Sequence, residues 1–280
     1  MTDEEFRLIR DLICDYCGIY FTESFKFLIE RRLQPRLPVF GFVGFRDYYR
    51  LIKYGRDREL EFDEIVERVT TNETYFFREA YQLNALMDEV LPLVKEGGRS
   101  GRRLRIWSAG CSTGEEPYSV AMMLEDASAA RGLAFDIFGN DISRKVLRTA
   151  RAGVYTQASF RATSKEMLAR HFVADGRTYR LADRIRNQVS FGHLNLVDGS
   201  ALALLAPVDV ILCRNVMIYF DPASRQRLIE TFHRKLRPGG FLLLGHAESL
   251  INESTAFELW PLKNDMVYRK PEGSAPGPTP

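Results

Sequence analysis

Histidine and cysteine are scarce: the chain has four of each among 280 residues. Cys14 and Cys17 form one C-x-x-C, but a zinc site wants a second ligand pair at suitable spacing, and none follows. The pair lies inside a helical pattern, where a redox motif would want a strand before it, so buried helix cysteines are the simpler reading. His171, His193, His233 and His246 are scattered, and no metal is expected. Long apolar runs are missing too, which excludes a membrane-spanning helix, and MTDEEFRLIRD has none of the character of a signal peptide. A soluble, cytoplasmic protein with no direct membrane insertion is expected. Charge of one sign is also absent. Lys and Arg number 39 against 37 Asp and Glu, a formal net charge of +2, so no chain-wide field for nucleic acid exists.

Core-forming material is ample, with 45% hydrophobic and 12% aromatic residues. Up to about residue 90 the pattern is helical. EEFRLIRDLICDYCGIYF sets Phe6, Ile9, Ile13 and Cys17 on one stripe, closed by Gly18. ESFKFLIERRLQPRL reads as a second helix ended by Pro35 and Pro38. FRDYYRLIK and ELEFDEIVERV follow. After the charged junction GGRSGRR, short apolar runs alternate with helical patterns: LRIWSAG, PYSVAMMLEDASAAR, FDIFGNDI, RKVLRTARAG, VDVILCRN, PASRQRLIETFHRKLR and GGFLLLGHAE. Such alternation predicts an α/β domain with a mostly parallel sheet covered on both faces. The two halves of TYRLADRIRNQVSF predict an antiparallel hairpin, and FELWPLKNDMVYRK a second one.

The stretch WSAGCSTGEEPYS poses a choice. Gly110–Gly114 fits the G-x-S-x-G elbow of hydrolases, with Ser112 as nucleophile and His246 as a candidate partner. It also fits a glycine loop that lets a cofactor approach the backbone. Glu115 and Glu116 sit at the start of the next helix, where two negative charges oppose a developing oxyanion and repel a pyrophosphate. The loop therefore asks for a ligand without phosphate that carries positive charge. Asp141, at the end of the next strand, suits ribose hydroxyls, although alone it reads equally as a helix N-cap. An adenosine bearing an ammonium and a sulfonium is S-adenosylmethionine.

The sequence resembles the CheR-type chemotaxis receptor glutamate O-methyltransferases. The motifs are TTNETYFFRE (70–79), WSAGCSTGEEPYSVAM (107–122), GNDIS (139–143), Asn195-Leu196 and ILCRNVMIYF (211–220). The resemblance implies a Rossmann-like class I S-adenosylmethionine-dependent methyltransferase sheet with a small antiparallel β-subdomain, preceded by an all-α N-terminal domain. The expected organisation is a helical domain over 1–75, a linker helix and junction over 76–103, and a catalytic domain over 104–270. A β-hairpin subdomain is inserted at about 172–192, and a disordered tail covers 271–280.

The resemblance further implies that Asn72, Thr74, Arg78, Gly110, Glu116, Asp141, Asn195, Leu196, Arg214 and Asn215 contact S-adenosylmethionine or its product S-adenosylhomocysteine. Glu116 would hold the ligand's ammonium, Asp141 its ribose, and Asn195 and Leu196 its adenine. Tyr219 would border the transferred methyl, and Arg78 or Tyr219 would aim the incoming carboxylate. The partners implied are the cytoplasmic helices of methyl-accepting chemotaxis receptors, met by Arg31, Arg32 and Arg36. The compact turn at Ala174–Gly176 points to direct receptor contact through Arg177, Arg180, Arg184 and Arg186 rather than dependence on a tethering peptide. Left open are a serine hydrolase, a non-catalytic cofactor-sensing module, and a methyltransferase for a small molecule or nucleic acid.

Overall fold

The computed structural model describes residues 1–96, 102–131 and 134–273. Most of the GGRSGRR junction and the end of the expected tail, 274–280, lie outside the described residues. Helix α1 (Asp3–Cys17) starts with a capping box: the Thr2 hydroxyl accepts from Glu5 N and the Glu5 carboxylate accepts from Thr2 N. Phe6, Ile9, Ile13 and Cys17 are all buried, and Gly18 ends the helix at φ 77°. The prolines end the next α-helix, as expected. Helix α2 (Lys26–Leu33) gives way before them to a 3-10 turn, Gln34–Phe40, that holds both. A short 3-10 turn tolerates proline because fewer of its N–H groups need partners. With α3 (Phe45–Tyr54) and α4 (Arg58–Val69), these helices close one apolar core around Phe6, Ile29, Leu33, Tyr48 and Ile65.

Residues 70–79 form no helix: they make a strap that links α4 to the next helix and closes in a turn over 76–79. Its end is tight, with Phe77 and Glu79 at φ 58° and 51°. Helix α5 (Ala80–Ala85), one π-turn (Leu86–Val90) and α6 (Leu91–Glu96) lead to the second domain.

That domain runs β1 (Leu104–Ala109), α7 (Glu115–Arg131), β2 (Phe135–Asp141), α8 (Arg144–Ala152), β3 (Val154–Thr156), α9 (Lys165–His171), β4 (Phe172–Asp175), β5 (Thr178–Leu181), α10 (Asp183–Arg186), β6 (Val189–His193), α11 (Gly199–Ala203), β7 (Val208–Cys213), α12 (Pro222–Lys235), β8 (Leu236–Leu244), β9 (Glu258–Pro261) and β10 (Met266–Arg269). The main sheet has the order β6-β2-β1-β7-β8-β10-β9. The first five strands are parallel, and β10 is antiparallel to both its neighbours. Both faces are covered, so its strands feed two cores in alternation. Ile106, Val210, Leu212 and Leu243 enter one core; Trp107, Ile211, Cys213 and Leu242 enter the other. Strand order reverses between β1 and β7, and ligands in such sheets bind at the strand C-termini beside that switch point.

The hairpin expected from TYRLADRIRNQVSF is a misreading. Thr178–Leu181 pairs instead with Phe172–Asp175 across a turn containing Gly176, and with β3, in a separate sheet β3-β5-β4. Val189–His193 joins the main sheet as a parallel edge strand beside β2. The reason is α10, a helical turn between the two runs that carries the chain from one sheet to the other. The small sheet thus draws on 154–156 and 172–181, and residues 189–192 of the expected 172–192 insert belong to the main sheet. The FELWPLKNDMVYRK hairpin is present as β9 and β10.

Candidate functional site

Three strand ends converge at the switch point. After β1 the chain turns through Gly110, Ser112 and Gly114, all at positive φ (76°, 49° and 91°). Gly110 N and Cys111 N donate to the Asn140 carbonyl at 2.9 and 2.8 Å, which folds the loop over the end of β2. Asn140 is itself fixed, its side-chain oxygen accepting from Trp107 Nε1 at 2.6 Å and its amide donating to the Leu194 carbonyl. A Cβ on Gly110 would lie 2.6 Å from Val216 Cγ2, so both the φ and the space demand glycine.

Asp141 lies beneath this loop. Its Oδ2 accepts from Ser112 N at 2.8 Å and its Oδ1 from Ser143 N at 2.9 Å. Burial pushes its carboxyl above the ordinary range, against the pull of these N–H groups. Helix α8 is capped by Ser143, so Asp141 is not an N-cap.

After β7, Arg214 is buried and carries its charge to two carboxylates. Nη1 donates to Glu116 Oε2 at 3.1 Å, and Nη2 to Glu79 Oε2 at 3.0 Å and to the Arg78 carbonyl at 2.6 Å. This is the anionic company a buried guanidinium needs. Glu116 also accepts from Ser108 Oγ at 2.7 Å. Of the two glutamates opening α7, only Glu116 faces the cavity. Glu115 turns inward to the Thr113 and Ser159 hydroxyls, and its carboxyl is raised by burial.

Glu248, which no sequence pattern singled out, organises the β7 loop. Its Oε2 accepts from Asn215 N at 2.6 Å and Gly245 N at 2.7 Å; its Oε1 accepts from Val216 N at 2.9 Å and Ile218 N at 3.2 Å. Those bonds hold Asn215 at φ 59°. A lone glutamate in GHAES has no periodicity to betray such a task.

The strap and the helical domain complete the walls. Ser112 Oγ donates to the Asn72 carbonyl at 3.2 Å, Phe76 N to the Ser159 carbonyl and Phe77 N to Ser119 Oγ. Tyr20 N donates to the Tyr219 carbonyl at 2.9 Å, and Asp221 N to the Gly18 carbonyl at 3.0 Å. The cavity is about 400 Å³. Asn72, Thr74, Arg78, Gly110, Glu116, Asp141, Asn195, Leu196, Arg214, Asn215 and Tyr219 all line it, joined by Tyr20, Phe25, Leu28 and Arg32 from the helical domain. The Asn195 side chain is partly spent, with its amide donating to the Tyr16 carbonyl and its oxygen accepting from Val197 N.

Two expected receptor-facing arginines look elsewhere. Arg32 lines the cavity and donates to the Val69 carbonyl at 2.8 Å. Arg36 grips Glu61, a carboxylate only 4% exposed that also accepts from the Tyr48 hydroxyl. Buried Glu61 needs a cation, and the planar Arg36 fork supplies it. Arg31 remains exposed. On α10, Arg184 and Arg186 are paired with Glu125 and Asp183, while Arg177 and Arg180, beside and within the small sheet, are exposed. The hydrolase reading fails on geometry, because among the described residues no histidine lines the cavity and the Ser112 hydroxyl is turned to Asn72.

The residues fit an adenosine ligand with a charged amino-acid tail. Asp141 spends one hydrogen bond per oxygen on the loops, and a carboxylate has about four lone-pair sites, so capacity is left for a pair of hydroxyls. Asn215 Oδ1 is buried without a hydrogen-bond partner in the protein. The wall carries both carboxylates, Glu116 and Asp141, and guanidiniums, Arg78 and Arg214, matching a group that carries both an ammonium and a carboxylate.

Comparison with known proteins agrees. Residues 72–266 match the family model described as CheR methyltransferase, SAM binding domain, and residues 4–70 match CheR methyltransferase, all-alpha domain. The fold and cleft are therefore those of an S-adenosylmethionine-binding methyltransferase, and the protein is an enzyme of that class. Chemotaxis protein methyltransferase 2 of Vibrio cholerae is 36% identical over 274 residues, covering 97% of this chain and 94% of that protein. Chemotaxis protein methyltransferase 1 of Pseudomonas aeruginosa is 35% identical over 272 residues, covering 95% and 97%. The Escherichia coli chemotaxis protein methyltransferase is 34% identical over 272 residues, covering 96% and 91%. The chain belongs to the CheR methyltransferase family. Among the described residues, no helix is long and apolar enough to cross a membrane.

Proposed function

We propose that this enzyme forms methyl esters on glutamate side chains in the cytoplasmic helices of chemotaxis receptors, working in the cytoplasm with S-adenosylmethionine as donor. The observation that carries the reading is the cleft itself. The ends of β1, β2 and β7 bring Gly110, Asp141 and Arg214 to one cavity, and the strap sets Arg78 along it. Asp141 takes the ribose hydroxyls, Asn195 and Leu196 flank the adenine, and Glu116 with Arg214, Asn72, Thr74 and Asn215 orders the amino-acid tail. The cofactor supplies an electrophilic methyl on its sulfonium. A glutamate side chain needs no base at neutral pH, since its reference pKa is about 4.3. The protein's contribution is to align carboxylate and methyl, which can yield roughly 7–11 kcal/mol. Arg78, half-buried with Nη1 donating to the Glu73 carbonyl, keeps further N–H groups to aim the incoming carboxylate; Tyr219, 38% exposed, borders it. Arg31 meets the receptor's acidic surface.

The test is incubation with methyl-labelled cofactor and purified receptor cytoplasmic domains. Label should appear on the receptor and leave as methanol in mild base. Label that resists base, or a receptor left unlabelled, would refute the reading. Arg31→Glu should slow transfer to receptor with S-adenosylhomocysteine affinity unchanged.

A further inference from the structure

Helix α4 belongs to the all-α domain, yet one of its side chains reaches the floor of the cofactor cleft through a short relay. Glu67 Oε2 accepts from Ser143 Oγ at 2.7 Å, and Glu67 Oε1 accepts from Lys145 N at 2.7 Å. The Ser143 hydroxyl also accepts from Val146 N, so its proton points to Glu67 while its lone pair caps α8. Ser143 N in turn donates to Asp141 Oδ1, and Asp141 Oδ2 accepts from Ser112 N. Ser112 Oγ closes the path on the Asn72 carbonyl. The relay thus leaves the helical domain at residue 67 and ends on the strap at residue 72, passing through the carboxylate beneath the glycine loop.

We propose that Glu67 is a positioning residue of the cofactor site: through Ser143 it fixes the orientation of the Asp141 carboxylate, so that helix α4 tunes cofactor affinity without touching the cofactor. Capping α8 would need only the bond to Lys145 N. The second bond, to the hydroxyl of the residue that donates to Asp141, is what a capping role leaves unexplained. Neighbouring contacts hold α4 against the same corner. Asp63, one turn earlier, pairs with Arg144 at 2.9 Å and lies 3.9 Å from His193 Nε2. Glu67 therefore reaches Ser143 from a braced helix.

The inference rests on the reading that Asp141 holds the cofactor, and the experiment separates the two. S-adenosylhomocysteine is titrated calorimetrically into the full chain as wild type, Glu67→Gln, Asp141→Asn and the double variant. Glutamine keeps the length but cannot accept both bonds. Glu67→Gln should weaken binding about 5-fold, the scale of one hydrogen bond. The double variant should bind no worse than Asp141→Asn alone, because the relay then has nothing to orient. In assays Glu67→Gln should raise the cofactor KM and keep kcat at saturation. Ser143→Ala, which cuts the relay with Glu67 still on Lys145 N, should show the same coupling to Asp141, and it serves if Glu67→Gln fails to fold. Unchanged affinity in Glu67→Gln, or losses that add in the double variant, would overturn the proposal alone. Unchanged affinity in Asp141→Asn would overturn both it and the role of Asp141. Loss of receptor labelling with all these affinities intact would bear only on the substrate.

Discussion

Glu248 gives the most demanding test of how the site is built. Its two carboxylate oxygens accept from four backbone N–H groups, all in the loops after β7 and β8. Glu248→Gln preserves volume but removes the charge and replaces one acceptor oxygen by an N–H donor group. One oxygen still serves two donors, while the new amide points its own N–H groups at the other two. Bonds to a charged acceptor contribute about 1.5–3 kcal/mol each. Losing two at the low end costs about 3 kcal/mol, and for a domain of this size 1 kcal/mol lowers Tm by roughly 2–4 °C. The methyltransferase domain should therefore melt roughly 6–12 °C lower by calorimetry, with the transition of the helical domain less affected. The damage should also be functional, since the freed loop carries Arg214, Asn215 and Tyr219. Affinity for S-adenosylhomocysteine should fall at a temperature where the variant is still folded. A Tm within 2 °C of wild type would mean that the four bonds add nothing beyond water's own. A lower Tm with wild-type affinity would mean that the loop does not shape the cleft.

Two further outcomes follow from local geometry. Gly110→Ala places a methyl 2.6 Å from Val216 at a residue with φ 76°, so it should weaken cofactor binding at least 10-fold, read by calorimetry; wild-type affinity would show that the loop yields freely. Burial pushes the Cys14 and Cys17 thiols up to about 12, with the Asp221 carboxylate adding to the shift at Cys14, so neither is nucleophilic near neutrality. Native protein at pH 7.5 should leave both unlabelled by a thiol reagent that labels them in denaturant, and rapid native labelling at Cys14 would show that its helix end opens readily.

What the sequence discloses and what it hides divide along chain distance. The α1 stripe, the β1-α7 loop and the strand ends were legible because each is written in consecutive residues: a period, a glycine with a positive-φ task, an acidic residue after an apolar run. The partners that make those pieces a site were not. Arg36 read as one more cation on a basic helix, since nothing beside it reveals that Glu61, 25 residues away, is buried and needs it. Glu67 and Ser143 are 76 residues apart, and Glu248 lies 30 or more residues from three of its four donors.

The misplaced strand shows the same limit from the other side. NQVSF has the composition of a strand in either sheet, and choosing between a hairpin partner and β2 is a tertiary decision taken by the turn Asp183–Arg186. Ser112 is the sharpest instance. Its five-residue frame and positive φ suit a nucleophile elbow as well as a cofactor loop, and no local feature separates them. The separation comes from what stands across the cavity, where a hydrolase would place a histidine and this chain places the Asn72 carbonyl, delivered by a strap 40 residues earlier. Chemistry at such a loop is decided by the residues folded against it, so the motif alone could state the question and only the packing could answer it.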